Sequence, residues 1–208
     1  MPAGTAMLKP LLKNIQMQLK DMGRDVDVDD LETIVLTHAC SAAVAAAASG
    51  WIPGAGGAVA MAVGSGFVIA MYVRLGAALG VHWNKGMIKA IVSAVAADVA
   101  AFLATTLGVS TILTFIPVLN LGSSAITAIT NFAFVYLAAI IYVKLLSSLL
   151  SRGVDLSKVD TDALKEEAKK AVHATDMNSA LNEAKSEFKH AAKNGDLRST
   201  VKPDEDTQ

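Results

Sequence analysis

Residues 33–73 carry no Asp, Glu, Lys or Arg, and residues 90–143 carry only Asp98. Two uncharged runs of this length leave few folds open. A soluble helix bundle keeps a polar stripe on each helix for water, and 123–143 holds no charged residue from which to build one. Each run has room for two helices, and about 20 apolar residues suffice for one crossing of a bilayer. The expectation is an all-α integral membrane protein built on a four-helix bundle.

The breaks within the runs are themselves apolar. "SGWIPGAGG" (49–57) ends a first helix over 31–48, roughly 27 Å long, and a second follows over 58–79. Trp51, Pro53 and Gly54 carry this turn, because proline removes an amide donor and glycine permits unusual backbone angles. "FIPVLNLGSS" (115–124) does the same between a third helix over 87–107 and a fourth over 123–150, with Phe115 and Pro117 as the breaking residues. The order helix, aromatic-Ile-Pro, glycine turn, helix, then "YVRL" (72–75) or "YVKL" (142–145) occurs twice. It reads as two related helical hairpins, the second with about six extra residues. Gly64, Gly66, Gly76 and Gly80 are candidate packing residues, since small side chains let helix backbones approach closely in lipid.

The charges lie in the amino-terminal segment, the 74–89 connection and the carboxy-terminal part; both Ile-Pro turns lack them. Four spans would put Arg74, Lys85, Lys89, Lys144 and Arg152 on one side, the positive-inside arrangement, with both termini cytoplasmic. Trp51 and Phe115 then suit the far interface. The uncharged turns equally allow each hairpin to be a wedge whose tip stays inside the bilayer.

The flanks read as amphipathic helices and divide the chain into 1–30, 31–150, 151–195 and a disordered tail, 196–208. Leu8, Leu11, Leu12, Ile15, Leu19 and Met22 recur at helical spacing, so a helix over 7–22 either packs on the protein or lies in the membrane interface. "DVDVDD" (25–30) lacks the glycine and closing glutamate of a calcium loop; Asp29 or Asp30 is expected to cap the next helix. Residues 160–194 read as two cytoplasmic helices. In the second, Met177, Leu181, Ala184 and Phe188 form a stripe for the protein's own cytoplasmic face, a sister subunit or a soluble partner.

"WIPGAGGAVAMAVGSGFVIAMYVRLGAALGV", "NKGMIKAIVSAV" and "FIPVLNLGSSAITAITNFAFVYLAAIIYVKLL" together resemble the bacterial YcjF-like family over roughly residues 45–150. These are hydrophobic helical domains of unassigned biochemical function, found beside or fused to GTPases of the Era-like and dynamin-like kind. The resemblance implies a bacterial inner-membrane protein with a partner GTPase; the chain itself has no G-x-x-x-x-G-K-[ST]. The family supplies no catalytic residues.

Chemistry-bearing patterns are sparse. "GAGG" (54–57) lacks the lysine of a phosphate loop. His38, His82, His173 and His190 show no paired ligand spacing, and no metal or cofactor is expected. Cys40, the single cysteine, sits in an alanine-rich run as a small packing residue. A net charge of -1 points to no nucleic-acid partner. The expected function is non-enzymatic: an anchor, scaffold or membrane-shaping component, oligomeric, in contact with lipid and a cytoplasmic protein. The alternative is an ion channel or transporter. For that, Asp98 matters most. Insertion of an aspartate at mid-span costs roughly 3 kcal/mol, so Asp98 is expected to face the bundle interior, a subunit interface or a wet cavity. There it would bond His38, Ser93 or Asn131 as a lock, or serve as an ion or proton site.

Overall fold

The structure is a computed structural model. It describes residues 6–48, 56–107, 123–156 and 158–197, with side chains described outside 56–63 and 123–125. Among the described residues there are seven helices and no strand: α1 (Leu8–Asp21), α2 (Val28–Ala48), α3 (Gly56–Ala78), α4 (Lys85–Thr106), α5 (Ser123–Ser151), α6 (Thr161–His173) and α7 (Met177–Asn194). The two Ile-Pro turns, with Trp51, Pro53, Gly54, Phe115 and Pro117, lie outside the described residues.

Local chemistry explains the helix ends. Asp176 starts α7 by accepting from the Asn178 and Ser179 amides, both at 3.1 Å. Gly195 stops it in the left-handed region at φ 76°, where a β-carbon is disfavoured. Asn84 starts α4 by accepting from the Met87 amide at 3.0 Å. At the head of α2 the capping carboxylate is Asp27, which accepts from the Asp29 amide at 2.8 Å. Asp29 and Asp30, the expected caps, instead occupy the first turn, where acids still favour the helix dipole.

Among the described residues, three helices are long and apolar enough to cross a membrane: Val28–Ala48, Lys85–Thr106 and Ile126–Ser151, the last being most of α5. Their environments differ sharply. The most apolar stretch of α5 is 78% buried inside the protein, against 50% for α2 and 44% for α4. The reason is that α5 is the axis of the fold and packs against each of the other six helices.

Much of that cover comes from the amphipathic flanks. Leu8, Leu12, Ile15 and Leu19 of α1 are 0–1% exposed, set against α5 and α2. Each such burial stabilises by about 2 kcal/mol. α6 packs on α4 and α5, and α7 on α5, burying Leu164, Ala168, Leu181, Ala184 and Phe188.

Side-chain contacts set the levels. Asn14 of α1 meets Ser147, Arg152 pairs with Glu167 of α6, and the Lys144 ammonium donates to the Ala174 carbonyl before α7. Thus α1 and α6 flank the carboxy-terminal half of α5, and α7 runs back along its middle towards its first residues.

Candidate membrane-contact site

Charged groups stop well before the uncharged helix ends. Phe188 of α7 meets Phe132 of α5 edge-on, with centroids 5.4 Å apart and ring planes at 73°. Phe132 lies about nine residues into α5, roughly 13 Å from its start. At and beyond this contact α7 exposes Lys189, His190 and Lys193. On α2, Asp196 stands within electrostatic range of Cys40, about eight residues, or 12 Å, before the end of the helix. On α4, Asp98 is exposed about eight residues before Thr106. Past these three levels α2, α4 and the first part of α5 hold no charged residue, nor do the adjoining stretches 49–55 and 108–122.

A buried carboxylate organises the layer above that rim. Glu183 of α7, 9% exposed, accepts from the Met7 amide at 2.6 Å and the Leu8 amide at 3.1 Å. It also accepts from the Tyr136 hydroxyl at 3.0 Å. One carboxylate therefore satisfies amides at the start of α1, which has no local side-chain cap, and ties α1, α5 and α7 together. Glu187, one turn later, is half-buried, and burial first, then Glu32 and Glu183, push its carboxyl above the ordinary range against the opposing effect of His190. Lys9 answers this acidic side by pairing with Asp29 and Glu32, both at 3.1 Å.

The structure does not bring Asp98, His38 and Asn131 together as one polar site. Val95, Val99 and Leu103 take the interior face of α4, and Asp98 falls outside that stripe, on the exposed side with Ser93, Ala97 and Ala101. Of the three surroundings expected for Asp98, the interior of this chain is not the one it takes, because the larger apolar side chains hold the inner positions. The Ser93 hydroxyl donates to the Ala90 carbonyl in its own helix. Asn131 is 2% exposed and donates to the Thr127 carbonyl. His38 is fully buried, with Nδ1 on the Ile34 carbonyl and no partner at Nε2 among the described residues. Among the described residues no three His, Cys, Asp or Glu side chains gather as a metal site.

Of the covers expected for the α7 stripe, the protein's own helices take it, and a partner or sister subunit does not. Leu181, Ala184 and Phe188 are 0–2% exposed within the chain itself, and Met177 packs against the same core. Their apolar surface is taken up by α5. Of the small residues, Gly64 and Gly76 sit at close approaches. A β-carbon on Gly64 would stand 2.8 Å from Phe134 Cδ1, and one on Gly76 would stand 2.9 Å from the Val81 carbonyl oxygen. Gly66 is half-buried. Gly80 ends α3 at φ 67°, a turn position rather than a helix-packing one.

Glu183 and Tyr136 escape sequence reading. Neither belongs to a motif, and the three segments they join lie far apart in the chain. No family model, curated protein or solved structure matches this chain.

Proposed function

We propose that the protein is a non-enzymatic membrane component whose two uncharged hairpin ends enter the bilayer as wedges from one side, anchoring the protein and shaping that leaflet. The seven-helix body then stays on the aqueous side. The observation that carries this reading is the Phe132–Phe188 contact, because it brings exposed Lys189, His190 and Lys193 alongside the helix that would otherwise span. Charged groups on that outer face do not belong in hydrocarbon. From the level of the contact α5 has roughly 13 Å of helix left, and Lys193 lies about 7 Å further along α7, so the uncharged length falls well short of a hydrocarbon core about 30 Å thick. Asp98 on the outer face fits the same rim, and it does not favour the channel or transporter alternative.

The finer assignment follows from charge and resemblance. The bilayer is the bacterial inner membrane, both termini are cytoplasmic, and the protein works as a homo-oligomer beside a GTPase or another cytoplasmic protein. With α1 and α7 stripes consumed internally, that partner meets polar surface.

Cysteine accessibility tests the wedge. In a Cys40→Ser background, single cysteines at Trp51, Pro117 and Asn84 are treated with a membrane-impermeant maleimide. The wedge predicts no labelling of 51 or 117 from outside intact cells, and efficient labelling of 84 once the cells are permeabilised. Labelling of either turn from outside would establish spanning hairpins and reject the wedge.

A further inference from the structure

α7 segregates its charge across its width. Glu183 is spent on the start of α1, and Glu187 stands near Glu32 of α2. Lys185, Lys189 and Lys193 recur every fourth residue on another flank, about 140° round the helix from those glutamates. Like charges at this spacing oppose the helix that carries them. The repulsion is visible at Lys185, whose ammonium is held below the ordinary lysine range by burial first and then by Lys189. From Phe188 to Leu197 the chain carries Lys189, His190 and Lys193 against a single acid, Asp196.

The row also has a direction. α7 descends along α5 and ends at Gly195, next to Asp196, which stands within electrostatic range of Cys40, about 12 Å short of the uncharged end of α2. Lys193 is therefore nearest to the uncharged ends, with Lys189 and Lys185 roughly 6 and 12 Å further back, the first within and the second beyond one Debye length of about 8 Å at physiological ionic strength. We infer that the Lys185–Lys189–Lys193 flank of α7 is a contact for anionic lipid headgroups, held over the leaflet that the hairpin ends enter. The inference rests on the wedge reading and adds the lipid class to it. The attraction is electrostatic, needs no single bound lipid, and weakens with salt.

Vesicle flotation of the full chain tests it. Neutral phosphatidylcholine vesicles report insertion, and the same vesicles containing phosphatidylglycerol report the lysine row. The protein is expected to float with both, and to partition onto the anionic vesicles on the order of 10- to 100-fold more strongly at low salt. The triple change Lys185→Gln, Lys189→Gln, Lys193→Gln should abolish that preference while leaving flotation with neutral vesicles intact. The triple arginine variant should keep it. Among single changes the loss should follow the order Lys193, Lys189, Lys185. A phosphatidylglycerol preference that survives the triple glutamine change overturns the inference and leaves the wedge standing. Suppression by inorganic phosphate at matched ionic strength overturns it too, since the site would then be one for a free anion. No flotation with either vesicle rejects the wedge and the inference together.

Discussion

Tyr72 and Tyr142 stack face to face across the α3–α5 interface, with centroids 4.1 Å apart and ring planes 13° apart. They are the first residues of "YVRL" and "YVKL", so corresponding positions of the sequence repeat meet each other. The Tyr72 hydroxyl donates to the Ala138 carbonyl at 2.9 Å, and the Tyr142 hydroxyl donates to the Tyr72 carbonyl at 3.3 Å. Further along the same pair of helices Gly64 faces Phe134. Both contacts join residues seventy apart in sequence, as expected of two parallel helices in one register.

That register makes Gly64 sensitive. A β-carbon there meets Phe134 Cδ1 at 2.8 Å and Asn131 Oδ1 at 3.1 Å, so α3 must move off α5 or Phe134 must change rotamer. Gly64→Ala is expected to lower stability by about 1–3 kcal/mol. Phe134→Leu should recover part of the loss in a double-mutant cycle. Denaturation in mild detergent measures both, and strict additivity of the two changes would refute the contact.

Glu183 should be costly to remove. Glu183→Ala leaves two amides at the start of α1 and the Tyr136 hydroxyl without their acceptor, a loss of about 2–4 kcal/mol. Glu183→Gln keeps one acceptor and should lose less, and Tyr136→Phe about 1 kcal/mol. Amide exchange gives the sharper reading. Protection of Met7 and Leu8 should fall in both Glu183 variants and hold in Tyr136→Phe.

Glu187 carries a pH dependence of known sign. Its carboxyl binds a proton more readily in the fold than in the unfolded chain, through burial and the charges of Glu32 and Glu183, with His190 opposing. The stability it contributes is fully present below its ordinary value of 4.5 and is lost as pH rises through the raised one. Glu187→Gln should therefore unfold at a higher temperature than the parent at neutral pH, with the gap closing near pH 4.5. A gap that widens towards acid would reverse the assignment.

Phe188 separates a core role from a partner role. It is 1% exposed and sits against Phe132, so Phe188→Ala should destabilise the isolated protein by about 3–5 kcal/mol and expose α7 to protease. Normal stability and protease resistance in this variant would return the stripe to a partner surface.

Helix positions were readable from the chain because their signals are local. Asp176 and Gly195 bracket α7 through contacts within a turn, and the apolar spacing of Leu8, Leu12, Ile15 and Leu19 specifies which side of α1 is buried. The uncharged runs likewise predict four membrane-crossing helices, of which three are long and apolar enough among the described residues. An apolar stripe, however, does not name what will cover it. Protein, lipid and a partner satisfy the same pattern, and only the assembled fold shows α1 and α7 closing over α5. Asp98 illustrates the same boundary. Its position near the middle of an apolar helix is a property of the sequence. Its outward direction is decided by competition among Val95, Val99 and Leu103 for the inner face, and the bond from Tyr136 to Glu183 exists because tertiary packing brings distant segments within reach of one hydrogen bond.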